Sequence, residues 1–394
     1  MTKKVKILRI INRFNLGGPT YNVTFLTAFL NDDFETLLLG GEPESQEGDA
    51  MFIPQKYGVS PTIIPELQRS INWKQDRAAY KKIKAIMQEY QPDIVHTHAS
   101  KSGAIGRLAA INLKVPVIVH TFHGHVFHSY FGKLKTQVYK TVERYLAKRS
   151  SAIIAISEQQ KHELVNIHRI AKSDKVKVVN LGFDLSKFQS DMPQKRQDFS
   201  EKYEVSDAEI CVGIIGRLTA IKNHDLFFDV IQEVASRSDK KIHFFIIGDG
   251  ELKSELEKKA KQLLDMFPQI RITFTSWIKD VSIPLARLDI VCLTSLNEGT
   301  PVSLIEAQAA GVPVITTNVG GVKDIIHVGV TGLIVSSFDA IPFGTEILRL
   351  IEGDKLRTQM SQEGWAFVKE KFHFKTLCFN IESLYLDLLK NDNV

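Results

Sequence analysis

The stretch LDIVCLTSLNEGTPVSLIEAQAAGVPVITTNVGG (Leu288–Gly321) decides the fold. "LDIVCLTS" is an apolar, β-prone run of strand length, "LNEGTP" is its exit loop, and "PVITT" is a second strand. Between them, Pro301 to Gly311 has the apolar spacing of a helix that starts on Pro and closes on Gly. Strand, helix and strand in so short a span belong to a parallel sheet flanked by helices.

The same alternation runs outward in both directions. The second half adds "EICVGIIG", "IHFFIIGDG", "IRITFTS" and "GLIV"; the first half holds "VKILRII", "FETLLLG", "DIVHTH", "PVIVHTF" and "SAIIAIS". Helical patterns such as Lys74–Tyr90 and Gly132–Lys148 lie between them. Two such series in succession imply two doubly wound α/β domains, and 394 residues suit two cores better than one. The seam falls near "VVNLGFDLSKF" (Val178–Phe188), before the polar stretch at residues 189–209. This predicts an N-terminal domain over 1–183, a C-terminal domain over 184–373, and a helix at 374–394 that could pack on either domain, the N-terminal one being expected.

Composition narrows the function. Hydrophobic content of 44% with 24% charged residues is that of a globular chain. No apolar run approaches the ~20 residues of a membrane-spanning helix, and the start "MTKKVKILRIINRF" lacks the pattern of a signal peptide, so the expected location is the cytoplasm. Cys211, Cys292 and Cys378 are far apart in apolar contexts and read as buried thiols. Charge is uneven: residues 1–200 carry 29 Lys and Arg against 18 acids, residues 201–394 carry 21 against 27. Residues 101–150 hold nine basic residues and one acid, Glu143. No nucleic-acid recognition motif accompanies them, so an anionic membrane or ligand is the better partner.

In open α/β sheets ligands sit beyond the carboxyl ends of the strands, which directs attention to the loops there. After the first strand, "NRFNLGGPT" offers Gly17 and Gly18 as a tight turn whose amides could meet a phosphate, or as plain punctuation. It is not the G-x-G-x-x-G fingerprint of a dinucleotide site, which argues against an oxidoreductase. "GIIGRLTAIKNHD" puts Arg217 and Lys222 in a strand-exit loop, suited to a diphosphate or simply solvated. Glu298 projects from the exit loop of the opening stretch, and the helix-start amides beside it favour an anion. Glu306, about two turns into that helix, can accept two hydrogen bonds from a vicinal diol such as a ribose; alone, it would be an ordinary surface acid.

Taken together, these motifs resemble a retaining glycosyltransferase of family 4 with the GT-B architecture of two Rossmann-like domains facing a central cleft. The resemblance spans nearly the whole chain: the Gly17-Gly18 turn, "HTHASKSGAIGRLAA", "HTFHG", "VVNLGFDLSKF", "GRLTAIKNHD", "SWIKDV" and "NEGTPVSLIEAQAAGVPVITTNVGG". It implies that Glu306 holds the ribose, Glu298 the donor-sugar hydroxyls, and Arg217 and Lys222 the diphosphate with amides near Gly299 and Thr300. It implies that the backbone of Ile278 lies by the base and that His123 lies near the transferred sugar, with weaker claims for His125 and His128. Two departures stand out: Gly-Thr-Pro replaces the frequent Gly-Phe-Gly, and Pro19, Thr20 and Tyr21 follow the Gly-Gly turn.

The function so implied is transfer of a sugar from a nucleotide diphosphate sugar, a UDP-sugar by preference, to a glycan or lipid-linked acceptor in cell-surface polysaccharide synthesis. The N-terminal domain would serve the acceptor and the C-terminal domain the donor. No cofactor and no metal are expected: His96, His98, His120 and His123 lack a companion carboxylate or Cys at ligand spacing. The segment 127–149 mixes aromatic and basic residues and could rest on the inner face of an anionic membrane, or be an ordinary amphipathic helix. A nucleotide-sugar 2-epimerase and a non-catalytic glycosyltransferase-like scaffold are the alternatives.

Overall fold

The computed structural model describes residues 3–15, 17–43, 50–68, 70–123 and 133–392. The chain divides into two compact units, Met1–Phe183 with Phe372–Val394, and Asp184–Lys371.

The first unit is built on a seven-stranded parallel sheet. Its strands are β1 (Val5–Arg13), β2 (Phe34–Gly41), β3 (Thr62–Ile63), β4 (Ile94–His98), β5 (Val117–Phe122), β6 (Ala152–Ala155) and β7 (Val176–Val178), in the order β3-β2-β1-β4-β5-β6-β7. Strand order reverses between β1 and β4, so the loops that leave these two strands flank the switch point. The runs are apolar because both faces of the sheet are covered: Ile7, Leu8 and Ile10 of β1 are fully buried. Covering helices follow the sequence closely. The helix Trp73–Tyr90 starts on Asn72, whose side chain accepts from the amides of Lys74 and Gln75, and buries Ala79, Ile83 and Met87 at four-residue spacing.

The C-terminal helix Phe374–Asp392 packs within the first unit. Leu377, Cys378, Ile381 and Tyr385 share a core with Ile7, Ile94, Val117, Val119 and Ile154. Its entry is tied down by Phe183, whose amide donates to Phe372 O (2.8 Å) and whose carbonyl accepts from Phe374 N (3.1 Å).

Polar groups inside this unit are paired across long sequence distances. Arg9, fully buried in β1, donates from Nη1 to Thr27 Oγ1 and from Nη2 to Tyr385 Oη, both at 3.1 Å. Glu143, the single acid of the basic segment, is buried and grips Arg107 Nη2 with both carboxylate oxygens, at 3.0 and 2.7 Å. It therefore does nothing to offset the exposed positive charge of residues 101–150.

The second unit repeats the architecture with six parallel strands: β8 (Ile210–Ile215), β9 (Ile242–Ile247), β10 (Ile270–Ser276), β11 (Ile290–Leu293), β12 (Val314–Thr317) and β13 (Gly332–Val335). Their order is β10-β9-β8-β11-β12-β13, with the switch point between β8 and β11, where Ile290 pairs with Val212 and Cys292 with Ile214. Val212, Phe227, Phe244, Ile290 and Ile347 lie in its core. All three cysteines are free and buried.

The helix of the opening stretch differs from the sequence expectation. It runs Val302–Ala309, and Pro301, with ψ of 97°, precedes it in extended conformation instead of forming its first turn. Glu306 is the fifth residue of this helix, just over one turn from its start.

Candidate active site

In the second unit, the loops after β8 and β11 carry the charged residues and are bonded to each other. Thr294 Oγ1 donates to the carbonyls of Lys222 (3.2 Å) and Asn223 (2.9 Å), and Leu296 N donates to Ile221 O (2.9 Å). Asn223, at φ 50°, turns the chain from the short 3-10 turn Ala220–Lys222 into the helix His224–Arg237. The backbone is thereby fixed on both sides of Lys222.

Glu298 is the meeting point. Its Oε1 accepts from Lys222 Nζ at 2.5 Å and from Ser295 Oγ at 2.6 Å. Its Oε2 has no partner among the described residues. On the other side, Gly321 N donates to Glu298 O (3.4 Å) and Gly299 O (3.2 Å). Gly320 has φ +49°, and a Cβ there would stand 1.7 Å from Glu298 O, so this turn requires glycine. A carboxylate held by Lys222 and Ser295, on a backbone tied to the next loop by Gly321 N, has one oxygen left over to accept a hydrogen bond from a ligand hydroxyl.

The surroundings favour an anion. Arg217 is exposed with no carboxylate partner among the described residues, and Lys222 keeps two ammonium protons beyond the one given to Glu298. The amides of Gly299 and Thr300, like those of Val302 and Ser303 at the helix start, make no hydrogen bond among the described residues. Pro301 costs this set one donor.

Glu306 makes no hydrogen bond or ion pair among the described residues. Burial pushes its pKa up to about 7; Lys187 pulls it down and Asp280 pushes it further up. Lys187 Nζ lies 3.7 Å from Asp280 Oδ1, and Asp280 accepts from Ser282 N (3.1 Å) and Oγ (2.9 Å). Asp280 belongs to the loop after β10 that also holds Ile278, whose peptide groups are unbonded among the described residues.

In the first unit, Gly17 precedes the helix Gly18–Ala28, with Pro19 in its first turn. His98 ends β4 and His123 directly follows β5. His98 Nδ1 and His123 Nε2 are 2.8 Å apart, and the His96 ring lies 4.2 Å from that of His98. His120 instead bonds Thr97 Oγ1 at 2.8 Å. His125 and His128 lie outside the described residues. Among the described residues, no group of three His, Cys, Asp or Glu could hold a metal ion.

Residues 17–187 match the family described as Glycosyltransferase Family 4, and residues 195–366 the family described as Glycosyl transferases group 1. The chain belongs to glycosyltransferase family 4. It is thus a glycosyltransferase of a retaining family. The Escherichia coli UDP-Gal:alpha-D-GlcNAc-diphosphoundecaprenol alpha-1,3-galactosyltransferase is 29% identical over 331 residues, 84% of each chain. The capsular polysaccharide biosynthesis glycosyltransferase CapM of Staphylococcus aureus is 28% identical over 339 residues, 82% of this chain and 86% of its own. The crystal structure of Anabaena Alr3699/HepE in complex with UDP matches with a TM-score of 0.80 at 19% identity, covering 97% and 100% of the two chains, a likeness of GT-B fold.

The family motifs left several members of these clusters without a role. Lys187 and Asp280 stand within "LSKF" and "SWIKDV", and Ser295 lies three residues before Glu298. Only the folded chain brings Lys187 and Asp280 to bear on Glu306. His98 carried a signal in "HTH", a polar residue at a strand's carboxyl end, but nothing local pairs it with His123, 25 positions on.

Proposed function

We propose that the chain transfers a sugar from a UDP-sugar, with retention at the anomeric carbon, to a hydroxyl of a glycan or lipid-linked acceptor in cell-surface polysaccharide synthesis. The observation that carries this is the Lys222–Glu298 pair at the β8/β11 switch point, with one carboxylate oxygen, the Arg217 guanidinium and the helix-start amides left without a partner among the described residues. Arg217, Lys222 and the amides of Gly299 and Thr300 hold the diphosphate; Glu298 Oε2 takes a donor-sugar hydroxyl; Glu306 takes the ribose; the backbone of Ile278 borders the base. The second unit is the donor side. The first unit is the acceptor side, with the amides of its Gly17-Gly18 turn assigned to a donor phosphate and His123 to the transferred sugar.

Substitution proceeds on one face of the anomeric carbon. The bond to the β-phosphate oxygen breaks, the bond to the acceptor oxygen forms, and the acceptor's proton passes to the departing phosphate. Cations and amides neutralise the charge that builds on the diphosphate. The test is incubation with UDP-galactose, UDP-glucose or UDP-N-acetylglucosamine and GlcNAc-diphosphoundecaprenol as acceptor. Formation of an extended lipid-linked glycan with the donor's anomeric configuration supports the reading; free UDP and sugar without any extended product, from every donor, refutes it.

The ribose role makes donor binding depend on pH. The folded pKa of Glu306, about 7, lies above its ordinary value of 4.5. Its effect on folding therefore favours the protonated form: stability is greatest below pH 4.5 and falls as pH rises toward 7. A diol with two hydroxyl protons to give needs the carboxylate, so UDP binding lowers this pKa and releases a proton. Affinity for UDP is expected to rise about tenfold from pH 6 to pH 8 and to lose that dependence in Glu306→Gln. Calorimetric titrations at the two pH values measure it.

The acceptor reading also gives the helix Lys133–Arg149 a role at a membrane surface. Residues 127–132 of the segment singled out in the sequence lie outside the described residues. In the described part, Val138, Val142 and Tyr145 are exposed at 60%, 42% and 47%, and the Arg149 guanidinium lies 3.8 Å over the Tyr145 ring. Beside them a cavity of about 720 Å³ is lined by Arg144, Lys148, Arg169, Lys172 and Lys175, with Asp174 as its single acid. Among the described residues no helix is long and apolar enough to cross a membrane, and the contact proposed is a peripheral one. The protein is expected to bind phosphatidylglycerol vesicles and not phosphatidylcholine ones. Replacing Lys148, Arg169 and Lys172 together by Gln should weaken sedimentation with the anionic vesicles about a hundredfold, at about 1 kcal/mol per basic residue.

A further inference from the structure

The His98–His123 pair admits two proton arrangements, and they differ in what they leave stranded inside the protein. Nδ1 of His98 and Nε2 of His123 are 2.8 Å apart, a distance that places one proton between them. Both rings are neutral. Burial is the first cause in each case, and it pushes His123 down to about 4. For His98 the groups that bear on it, His96, His123, Arg9 and His120, all oppose protonation, and no carboxylate is among them. Each ring therefore carries one proton, and the outer nitrogens, His98 Nε2 and His123 Nδ1, are buried and have no partner among the described residues.

If His123 were the donor, His98 would carry its own proton on Nε2. His98 is 0% exposed, so that N–H would stay unbonded whatever ligand is present. If His98 is the donor, its Nε2 is a bare lone pair and the unbonded N–H lies on Nδ1 of His123, an atom just as enclosed but on a side chain that is not fully buried. Each arrangement strands one N–H, but only the second puts it on a residue a ligand can reach, and because buried unpaired N–H groups are rarely tolerated this favours the second.

We propose that His98 is a positioning residue: it donates Nδ1–H to Nε2 of His123 and holds His123 as the neutral tautomer whose Nδ1–H is offered to a substrate oxygen. This rests on the role given to His123 in the proposed transfer. His123 then acts as a hydrogen-bond donor that stabilises charge on oxygen, and the acceptor's proton goes to the leaving phosphate.

The ring of His98 is held in place by a second polar chain whose direction is fixed. Arg9 can only donate, so Tyr385 Oη accepts from Nη2 (3.1 Å) and gives its own proton to His96 Nδ1 (2.6 Å). His96 then carries its proton on Nε2 and donates to Thr121 Oγ1 (2.7 Å). The locked His96 ring packs against His98, so the C-terminal helix, through Tyr385, sets the wall on which His98 rests.

The test reads the proton directly. In protein labelled with ¹⁵N at histidine, two-bond proton–nitrogen correlation spectra report which ring nitrogen of His123 is protonated, the signals being assigned by their loss in His123→Gln. The expected wild-type result is protonated Nδ1 and bare Nε2. His98→Asn, whose amide nitrogen replaces Nδ1 as donor, should keep that tautomer and keep kcat within about threefold. His98→Phe should release it and lower kcat by about tenfold to a hundredfold with donor KM little changed. A wild-type spectrum with the proton on Nε2 overturns the assignment while leaving the transfer reading intact. Unchanged transfer in His123→Gln overturns the role of His123, and the positioning role with it. If the Phe variant does not fold, the wild-type and Asn spectra decide.

Discussion

Glu298→Ala is expected to lower kcat of sugar transfer by about 10²–10³-fold while leaving UDP affinity unchanged or stronger. The asymmetry comes from the pair it breaks. Lys222 Nζ now spends one proton on Glu298 Oε1 at 2.5 Å, and without that carboxylate the whole ammonium is available to a diphosphate. Lys222 retains 24% exposure, so water screens its charge when it is left alone, and the loop is still anchored through Thr294. The donor sugar, by contrast, loses the oxygen that orients it. Parallel kcat measurements and calorimetry with UDP check this; equal losses in turnover and UDP affinity would show that Glu298 serves binding in general.

The second large effect concerns stability. Glu143→Ala should destabilise the first unit by about 3–5 kcal/mol, because it strands a charged guanidinium in the interior. Among the described residues, Arg107 would keep a single bond, Nε to Gly103 O at 2.8 Å, and lose both carboxylate contacts on Nη2. Nη1 has no partner among the described residues already. Replacing both residues, Arg107→Met with Glu143→Met, should recover most of the loss, since an apolar pair carries no desolvation cost. Hydrogen exchange of the β4 and β5 amides reads the unfolding free energy of this unit separately from the other. A loss below about 1 kcal/mol in the single variant would mean the pair is hydrated.

Much of this architecture is legible in the chain itself. Apolar runs such as "EICVGIIG" and "PVIVHTF" mark strands buried on both faces, and the loops after them hold Arg217, Glu298 and His123 because ligand sites form at strand exits. What stays hidden is pairing at long range. Nothing near Glu298 announces Lys222, 76 positions away, as the partner of one of its oxygens. Arg9 looks like an error in an apolar strand until Tyr385, 376 positions on, comes to meet it. In the sequence Glu143 is only the one acid among nine basic residues; in the fold it is buried against Arg107. Helix ends are a smaller case: Pro301 suggests a first helical residue, but its extended ψ sets it just before the helix.

The most direct test of the donor site is ligand-observed NMR of the purified protein with UDP-, GDP- and ADP-sugars, repeated on Glu306→Ala and Arg217→Ala. Selective binding of a UDP-sugar, weakened at least tenfold in each variant, is the expected result. Binding of no nucleotide sugar by the folded protein, or UDP-sugar binding indifferent to both substitutions, would contradict it.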